Sequence, residues 1–164
     1  RANERTFSLI TQVVGRAGRA SKKGMSLIQT FKPDSEIIEL CRQGDYEAFY
    51  EKEIEIRRSF IWPPFCDIVL LTLTADTEAD AQRLSVTLSE SFKSLADKLS
   101  RDIPMIAYGP FEAPVYKLNE KYRMRMVIKT KLQRSTRAMF SQLLAEFTGG
   151  SGVSLSIDFN PNSV

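Results

Sequence analysis

The second half of the chain carries an order of apolar patterns that few folds accommodate. Six segments of strand-like or helix-like periodicity follow one another as β-α-β-β-α-β, at residues 66–75, 77–99, 105–108, 122–130, 134–147 and 153–159. This order predicts an α+β fold of the ferredoxin-like type. Its four-stranded antiparallel sheet would carry helices on one face and leave the other face open for a partner.

The beginning of the chain predicts a different arrangement. Residues 4–14 place apolar side chains at helical spacing, and we expect Gly15 and Gly18 to end that helix. The short apolar, β-prone segment 24–31 reads as a buried strand. Residues 35–43 and a second segment from Asp45, the expected N-cap, read as helices.

A Trp-Pro-Pro-Phe sequence at 62–65 follows the last of these helices, and neither proline can extend it. We place a domain boundary there. The sequence therefore predicts a first domain at 1–65 and a second at 66–164.

The positive charge of the second domain is concentrated in one stretch. Residues 116–137 hold eight Lys or Arg and one acidic residue, although the whole chain carries a net charge of only +3. The strand at 122–130 alternates, so its apolar side chains would pack on the helices and its basic ones would line the open face. Such a surface can bind the phosphate backbone of a nucleic acid. The predicted DNA-binding residues are Lys117, Lys121, Arg123, Arg125, Lys129 and Lys131.

An alternative to DNA binding is that these charges only prevent the sheet from aggregating, as charged side chains do on exposed strands. Solubility alone normally mixes the two signs of charge, which this stretch barely does. RNA-recognition domains of similar topology stack bases on aromatic side chains of the third strand. The only aromatic here, Tyr122, alternates inward, so the prediction is electrostatic contact that ignores base sequence.

Composition excludes several function classes. The chain has two isolated cysteines and no histidine, which argues against a zinc site or a Cys/His nucleophile within it. No apolar run approaches the roughly 20 residues that span a bilayer, and no signal peptide is recognisable. We therefore predict no membrane partner and a cytoplasmic location.

The most specific motif lies near the start. Residues 12–19 read Gln-Val-Val-Gly-Arg-Ala-Gly-Arg, with Arg16 and Arg19 expected to project from a glycine-relieved bend after an apolar helix. A planar, permanently charged guanidinium group suits phosphate oxygens. A basic helix end, in which the arginines satisfy the last carbonyls, is the simpler interpretation.

The pattern Q-x-x-G-R-x-G-R resembles motif VI of the superfamily-two helicases, the arginine-finger segment of their second RecA-like lobe. The resemblance implies that residues 1–65 are the remnant of such a lobe. It also implies that Gln12, Gly15, Arg16 and Arg19 approach ATP and that the two arginines act in catalysis. Fingers of this kind contribute roughly 10³–10⁵ in rate to other phosphoryl-transfer enzymes.

Further blocks narrow the resemblance to the PriA replication-restart DNA helicases, also called primosomal protein N′. They cover nearly the whole chain: residues 12–19, 45–53 and 63–65, then Gly109-Pro110 with Pro114, Lys117-Leu118, Tyr122-Arg123, and Asp158 with Pro161. We accordingly expect the chain to be the C-terminal piece of a longer protein.

The resemblance implies a bacterial, nucleoid-associated protein that unwinds DNA 3′-to-5′ at stalled forks and assembles the primosome. Its implied partners are branched or single-stranded DNA, other primosome proteins and the acidic tail of single-stranded-DNA-binding protein, the last near Arg134 and Arg137. Its implied cofactors are ATP and Mg²⁺, with zinc held elsewhere in the parent protein.

The chain itself contains no Gly-x-x-x-x-Gly-Lys phosphate loop and no Asp-Glu magnesium-binding box. We therefore predict that the fragment alone is inactive as a motor. A competing hypothesis is a nucleic-acid- or protein-binding module with no ATPase role, in which residues 12–19 contact a phosphate backbone or are a structural relic.

Overall fold

The computed structural model describes residues 2–17, 25–148 and 152–162, and it divides the chain into two compact units, Arg1–Phe60 and Ile61–Val164. Three helices make up the regular structure described in the first unit: α1 (Ala2–Ala17), α2 (Glu36–Gln43) and α3 (Tyr46–Ser59). Among the described residues, none of the helices combines the length and the apolar character that crossing a membrane requires.

A small apolar cluster holds the three helices together. Phe7, Leu40, Cys41 and Phe49 are buried in it, and the rings of Phe7 and Phe49 stack with their centroids 4.3 Å apart. The Arg57 side chain joins α3 to α1, because it bonds to Glu4 at 3.0 Å as well as to Glu53 on its own helix at 3.0 Å.

The sequence located two helix boundaries correctly. The Asp45 carboxylate accepts a 2.9 Å hydrogen bond from the amide of Ala48, as an N-cap residue should. Gly44 ends α2 in the left-handed conformation (φ +68°), which glycine adopts without steric cost.

Two expectations for this unit, a helix end at Gly15 and a strand at 25–31, are wrong, while the expected helix end at Gly18 lies outside the described residues. Helix α1 continues through Gly15 and Arg16 to Ala17, because one glycine lowers helix stability by only about 1 kcal/mol and need not end a helix. Residues 25–31 form no strand, and Leu27 and Phe31 are 93% and 106% exposed. A parallel strand needs neighbouring strands for its hydrogen bonds, and the described part of this unit has none.

The second unit is an antiparallel sheet with two helices. Its elements are β1 (Asp67–Ala75), α4 (Glu78–Leu99), β2 (Ile106–Leu118), β3 (Lys121–Thr130), α5 (Arg134–Glu146) and β4 (Val153–Phe159). The strand order is β2-β3-β1-β4, every neighbouring pair is antiparallel, and β2 and β4 are the edges.

The core of this unit lies between the sheet and both helices. Side chains of one parity along the strands, such as Leu71, Met126 and Leu155, are buried against Phe92 of α4 and Phe140 of α5. We call this the inner face of the sheet. The amphipathic patterns of the sequence predicted the packing because strand side chains alternate between faces.

Strand β2 is longer than the sequence predicted. It does not end at Gly109-Pro110 but continues to Leu118, with irregular pairing to β3 between Tyr108 and Phe111 and again between Glu112 and Lys117. A proline, which cannot donate to the ladder, is tolerated at an edge strand or a bulge, and glycine supplies the unusual φ of +102°.

Candidate nucleic-acid interface

The second face of the sheet, which we call the outer face, carries the opposite parity of side chains. On β3 these are Arg123, Arg125, Val127 and Lys129, which pair across β1 with Thr74, Thr72, Leu70 and Ile68. Cys66, Ile68, Leu70 and Val127 form a small buried cluster on this face. The centre of the outer face is thus apolar, with charged side chains around it.

Lys129 differs most from the expectation of an open charged row. Its side chain is 8% exposed, and its Nζ atom lies 4.4 Å from the centroid of the Trp62 ring and 5.5 Å from that of Tyr108. An ammonium group over aromatic rings is stabilised by their quadrupoles. The sequence placed Lys129 on the correct face but did not anticipate that two rings cover it.

The two lysines at the β2–β3 turn are held by acidic neighbours. Lys117 bonds to Glu120 at 2.7 Å, and Lys121 bonds to Asp76 at 3.1 Å. The hydrogen bond and the charge of Glu120 raise the pKa of the Lys117 ammonium group, while Lys117 lowers the pKa of the Glu120 carboxyl. Both pairs are well exposed, so an anionic ligand competes with them at little cost.

Arg123 and Arg125 are the cations of β3 that neither form an ion pair within the described residues nor lie under aromatic rings. Within the described residues no carboxylate lies within ion-pair distance of either guanidinium group. The Nε–H group of Arg125 is buried and donates a hydrogen bond to no acceptor in the described part of the chain. A buried donor without a partner costs about 1–3 kcal/mol. Lys131 follows the strand and is exposed.

Arg134 and Arg137 lie at the N-terminal end of α5. Its first turn contains no acidic residue, and the guanidinium of Arg137 lies 5.3 Å from the Phe159 ring centroid. Basic side chains at a helix N-terminus add to the positive end of the helix dipole. The arrangement gives this end of the second unit a preference for anions.

The helicase-like motif is only partly described. Arg16 is an exposed residue in the last turn of α1, and Gly15 is helical with open space beside it. The Gln12 side chain donates a 3.2 Å hydrogen bond to Ser8. Gly18 and Arg19 lie outside the described residues. The expected bend is therefore absent at Gly15, and Arg16 projects from a helix.

The cysteines and acidic residues form no metal-binding cluster in the described part of the chain. Burial raises the pKa of the Cys41 and Cys66 thiols, which disfavours the nucleophilic thiolate. The Cys66 thiol donates to the carbonyl of Ile61 at 3.1 Å. No cluster of three His, Cys, Asp or Glu is found among these residues.

Three aromatic residues lie on the outer face, where the sequence did not predict them. Tyr108 and Phe111 pair with Val127 and Arg125 on β3, and the Trp62 ring packs over Lys129. Tyr108 and Phe111 are three residues apart, so strict alternation would put them on opposite faces. The irregular pairing at Gly109-Pro110 restores them to the same face. The Gly-Pro pair was therefore the available signal, read as a strand end instead of a bulge.

Comparison with known proteins identifies the chain. Residues 58–162 match the family described as "Primosomal protein N C-terminal domain". The chain is 34% identical over 98% of its length to "Replication restart protein PriA" of Bacillus subtilis, 32% identical over 99% to that of Rickettsia conorii, and 28% identical over 100% to that of Borreliella burgdorferi. It spans 20%, 24% and 24% of those relatives. The chain belongs to the PriA replication-restart family and carries the C-terminal domain of that family.

Proposed function

We propose that the parent protein is an ATP-dependent 3′-to-5′ DNA helicase that restarts stalled replication forks and assembles the primosome. The observation that carries the proposal is the match of 58–162 to the family's C-terminal domain in a chain that also holds the Q-x-x-G-R-x-G-R pattern. In this proposal the chain is the C-terminal part of the helicase, and the helicase acts in the bacterial cytoplasm at the nucleoid.

In this proposal residues 1–65 are a remnant of the second RecA-like lobe, and Gln12, Gly15, Arg16 and Arg19 serve the ATP site. An exposed guanidinium at the end of α1 supports the role of Arg16, since an arginine finger must reach phosphates held by another lobe. The sequence lacks both the phosphate loop and the acidic box that would hold ATP and Mg²⁺. The chain's residues therefore fit a finger and not a nucleotide pocket, and the parent's zinc site is likewise assigned to residues outside the chain.

The second domain, of ferredoxin-like type, serves in the proposal as a contact for branched or single-stranded DNA. The strand order β2-β3-β1-β4 and the packing of both helices on one face support that topology. Arg123, Arg125 and Lys131 would meet the phosphate backbone first, because Lys117 and Lys121 must exchange a carboxylate for a phosphate and Lys129 is covered.

We assign the acidic tail of single-stranded-DNA-binding protein to Arg134 and Arg137 at the start of α5, and we expect other primosome proteins as further partners. The absence of acidic residues from that helical turn supports the assignment. An acidic peptide would gain from both the arginines and the helix dipole.

The motor role is tested in the full-length protein with Arg16→Ala and Arg19→Ala. DNA-stimulated ATP turnover is expected to fall by roughly 10³ or more while ATP still binds. Lys32→Ala, a change at an exposed lysine outside the motif, is the control and is expected to keep normal turnover. If the motif is only a backbone contact, both arginine variants will bind DNA more weakly but turn over ATP normally at saturating DNA. That result would leave the binding-module alternative.

A further inference from the structure

Three aromatic side chains lie exposed on the outer face of the sheet. Trp62, Tyr108 and Phe111 are 39%, 47% and 40% exposed. We call them the aromatic row. They come from the segment before β1 and from both sides of the irregularity in β2, so no short sequence motif marks them.

The aromatic row is continuous with the basic side chains of β3. The Lys129 ammonium lies near both the Trp62 and the Tyr108 rings, at 4.4 and 5.5 Å from their centroids. Phe111 pairs with Arg125 across the strands. One surface therefore places partly exposed aromatic rings beside cations.

The charge of this surface suits an anionic strand. Arg123 and Arg125 have no ion-pair partner among the described residues, and Arg125 keeps a buried Nε donor without a hydrogen bond. Side chains alternate between the two faces along β4, and this alternation places the acidic residue Asp158 on the outer face, opposite Leu70. Strand β1 lies between Asp158 and β3. Positive charge therefore collects on the half of the face that carries the rings.

We propose that the aromatic row stacks the unpaired bases of a single-stranded nucleic acid whose phosphates lie on Arg123 and Arg125. This inference rests on the proposed DNA contact and adds the form of nucleic acid that the outer face binds. Duplex DNA cannot use the rings, because its bases are stacked on one another and hidden from a flat surface. Aromatic rings beside a basic groove are the general device of single-strand binding.

The spacing of the rings agrees with an extended strand. The partners of Tyr108 and Phe111 are two residues apart on β3, which corresponds to about 7 Å. Successive bases of a stacked strand repeat at about 3.4 Å. Neighbouring rings can therefore receive successive bases only if the strand is unstacked and drawn out.

An acidic peptide with an apolar side chain is the other anionic occupant to consider. A peptide commonly adds to the backbone of an exposed edge strand, but Pro110 and Pro114 interrupt the donors of β2, the edge nearest the rings. The observations favour a ligand that uses ring faces and charge, without an edge to pair with.

The test uses the whole 164-residue chain and three labelled probes at low salt: oligo-dT, an abasic oligonucleotide of equal length, and a blunt duplex of equal phosphate number. Trp62 is the only tryptophan, so its fluorescence reports directly on the aromatic row. We expect oligo-dT to bind at least about tenfold more tightly than the abasic strand and to quench Trp62. The abasic strand and the duplex should bind by charge without that quenching.

Tyr108→Leu and Phe111→Leu remove a ring but keep apolar volume. Each is expected to weaken oligo-dT binding at least about fivefold and to leave abasic binding and its salt dependence unchanged. Tyr50→Leu removes a similarly exposed ring from the first unit and serves as the matched control. An oligo-rU arm distinguishes RNA from DNA as the source of the bases.

Equal affinity for oligo-dT and the abasic strand would overturn the stacking proposal and leave the backbone contact standing. Failure of all three probes to bind would overturn the backbone contact as well. If the Leu variants instead weaken only an acidic, phenylalanine-bearing peptide that competes with the oligonucleotides, the occupant is a peptide and the proposal is wrong.

Discussion

At the scale of single residues, Gly109 shows how one position fixes the outer face. Its φ of +102° is one that side-chain-bearing residues rarely adopt. A Cβ atom there would lie 2.8 Å from the carbonyl oxygen of Arg125 and 2.9 Å from the Phe111 ring. The Phe111 ring thus fills the space beside the glycine.

Gly109→Ala is expected to destabilise the second unit by about 3 kcal/mol, the upper end of the cost of backbone strain, because the clash is with backbone and cannot be relieved by a rotamer change. Gly152→Ala is the matched control: φ is +79°, but the close atom is the end of the Asp76 side chain, which can turn away. Urea unfolding followed by Trp62 fluorescence gives both values. A loss at Gly109 no larger than that at Gly152 would contradict the backbone clash.

Residue types alone predicted the helix caps but not the cover over Lys129. Asp45 and Gly44 act locally, through atoms within three or four residues, so a sequence pattern contains the information. The rings over Lys129 come from 67 and 21 residues away in the chain. Contacts of that range depend on sheet register, which a single sequence leaves open.

At the scale of elements, β3 is the strand whose alternation was predicted and whose environment was not. Met124, Met126 and Ile128 are buried on the inner face as expected. Among the basic side chains of β3 on the outer face, Lys129 is covered by aromatic rings, whereas Arg123 and Arg125 are half-buried. The expected role of β3 in nucleic-acid contact accordingly narrows to the two arginines.

Reversing both charges, Arg123→Glu with Arg125→Glu, is expected to weaken DNA binding regardless of sequence and to lower the salt slope by about 2, one unit for each lost phosphate contact. Arg83→Glu with Lys98→Glu on α4 changes the net charge equally, but α4 packs on the inner face. Binding measured between low and moderate salt separates the pairs. An unchanged slope in the β3 variant would favour the solubility interpretation of the basic strand.

A substitution at the start of α5 can test peptide binding without destabilising the helix, so weaker binding could not be attributed to unfolding. Arg134→Glu at the helix N-terminus should stabilise α5 by a few tenths of a kcal/mol through the dipole, yet weaken binding of an acidic peptide by about fivefold. Arg101→Glu, an exposed change after α4, is the control. Calorimetric titration gives the affinities, and equal values for wild type and Arg134→Glu would remove Arg134 from the peptide contact.

The first unit differs from its predicted elements at the segment that was expected to form a strand. The segment 25–31 has the composition of a buried strand, but Leu27 and Phe31 are exposed because the described part of the unit offers no strand to pair with. Propensity specifies a strand only together with its neighbours. Helices α2 and α3, whose hydrogen bonds are internal, form where the sequence predicted them.

At the scale of the whole molecule, the two units carry different parts of the proposed function. The chain spans 20–24% of its relatives. Its first unit holds an arginine motif, and its second unit holds a sheet with a charged face that carries aromatic rings. Binding can persist in such a fragment because the sheet domain contains its own core. We expect catalysis to be lost, because an arginine finger acts only on a nucleotide that other groups hold.

We therefore expect the purified chain to bind DNA but to neither hydrolyse ATP nor unwind DNA. The expected ATP turnover with saturating DNA equals that of buffer, because the lysine and the magnesium-holding carboxylates that position the γ-phosphate are not in the sequence. The full-length protein under the same conditions is the positive control, and oligonucleotide binding by the same preparation shows that the chain is folded. DNA-stimulated turnover by the chain would mean that it builds a nucleotide site from residues other than Gln12, Gly15, Arg16 and Arg19. In that case the helicase assignment of the first unit would have to be abandoned. The chain would still belong to the PriA family, because that membership rests on the family match.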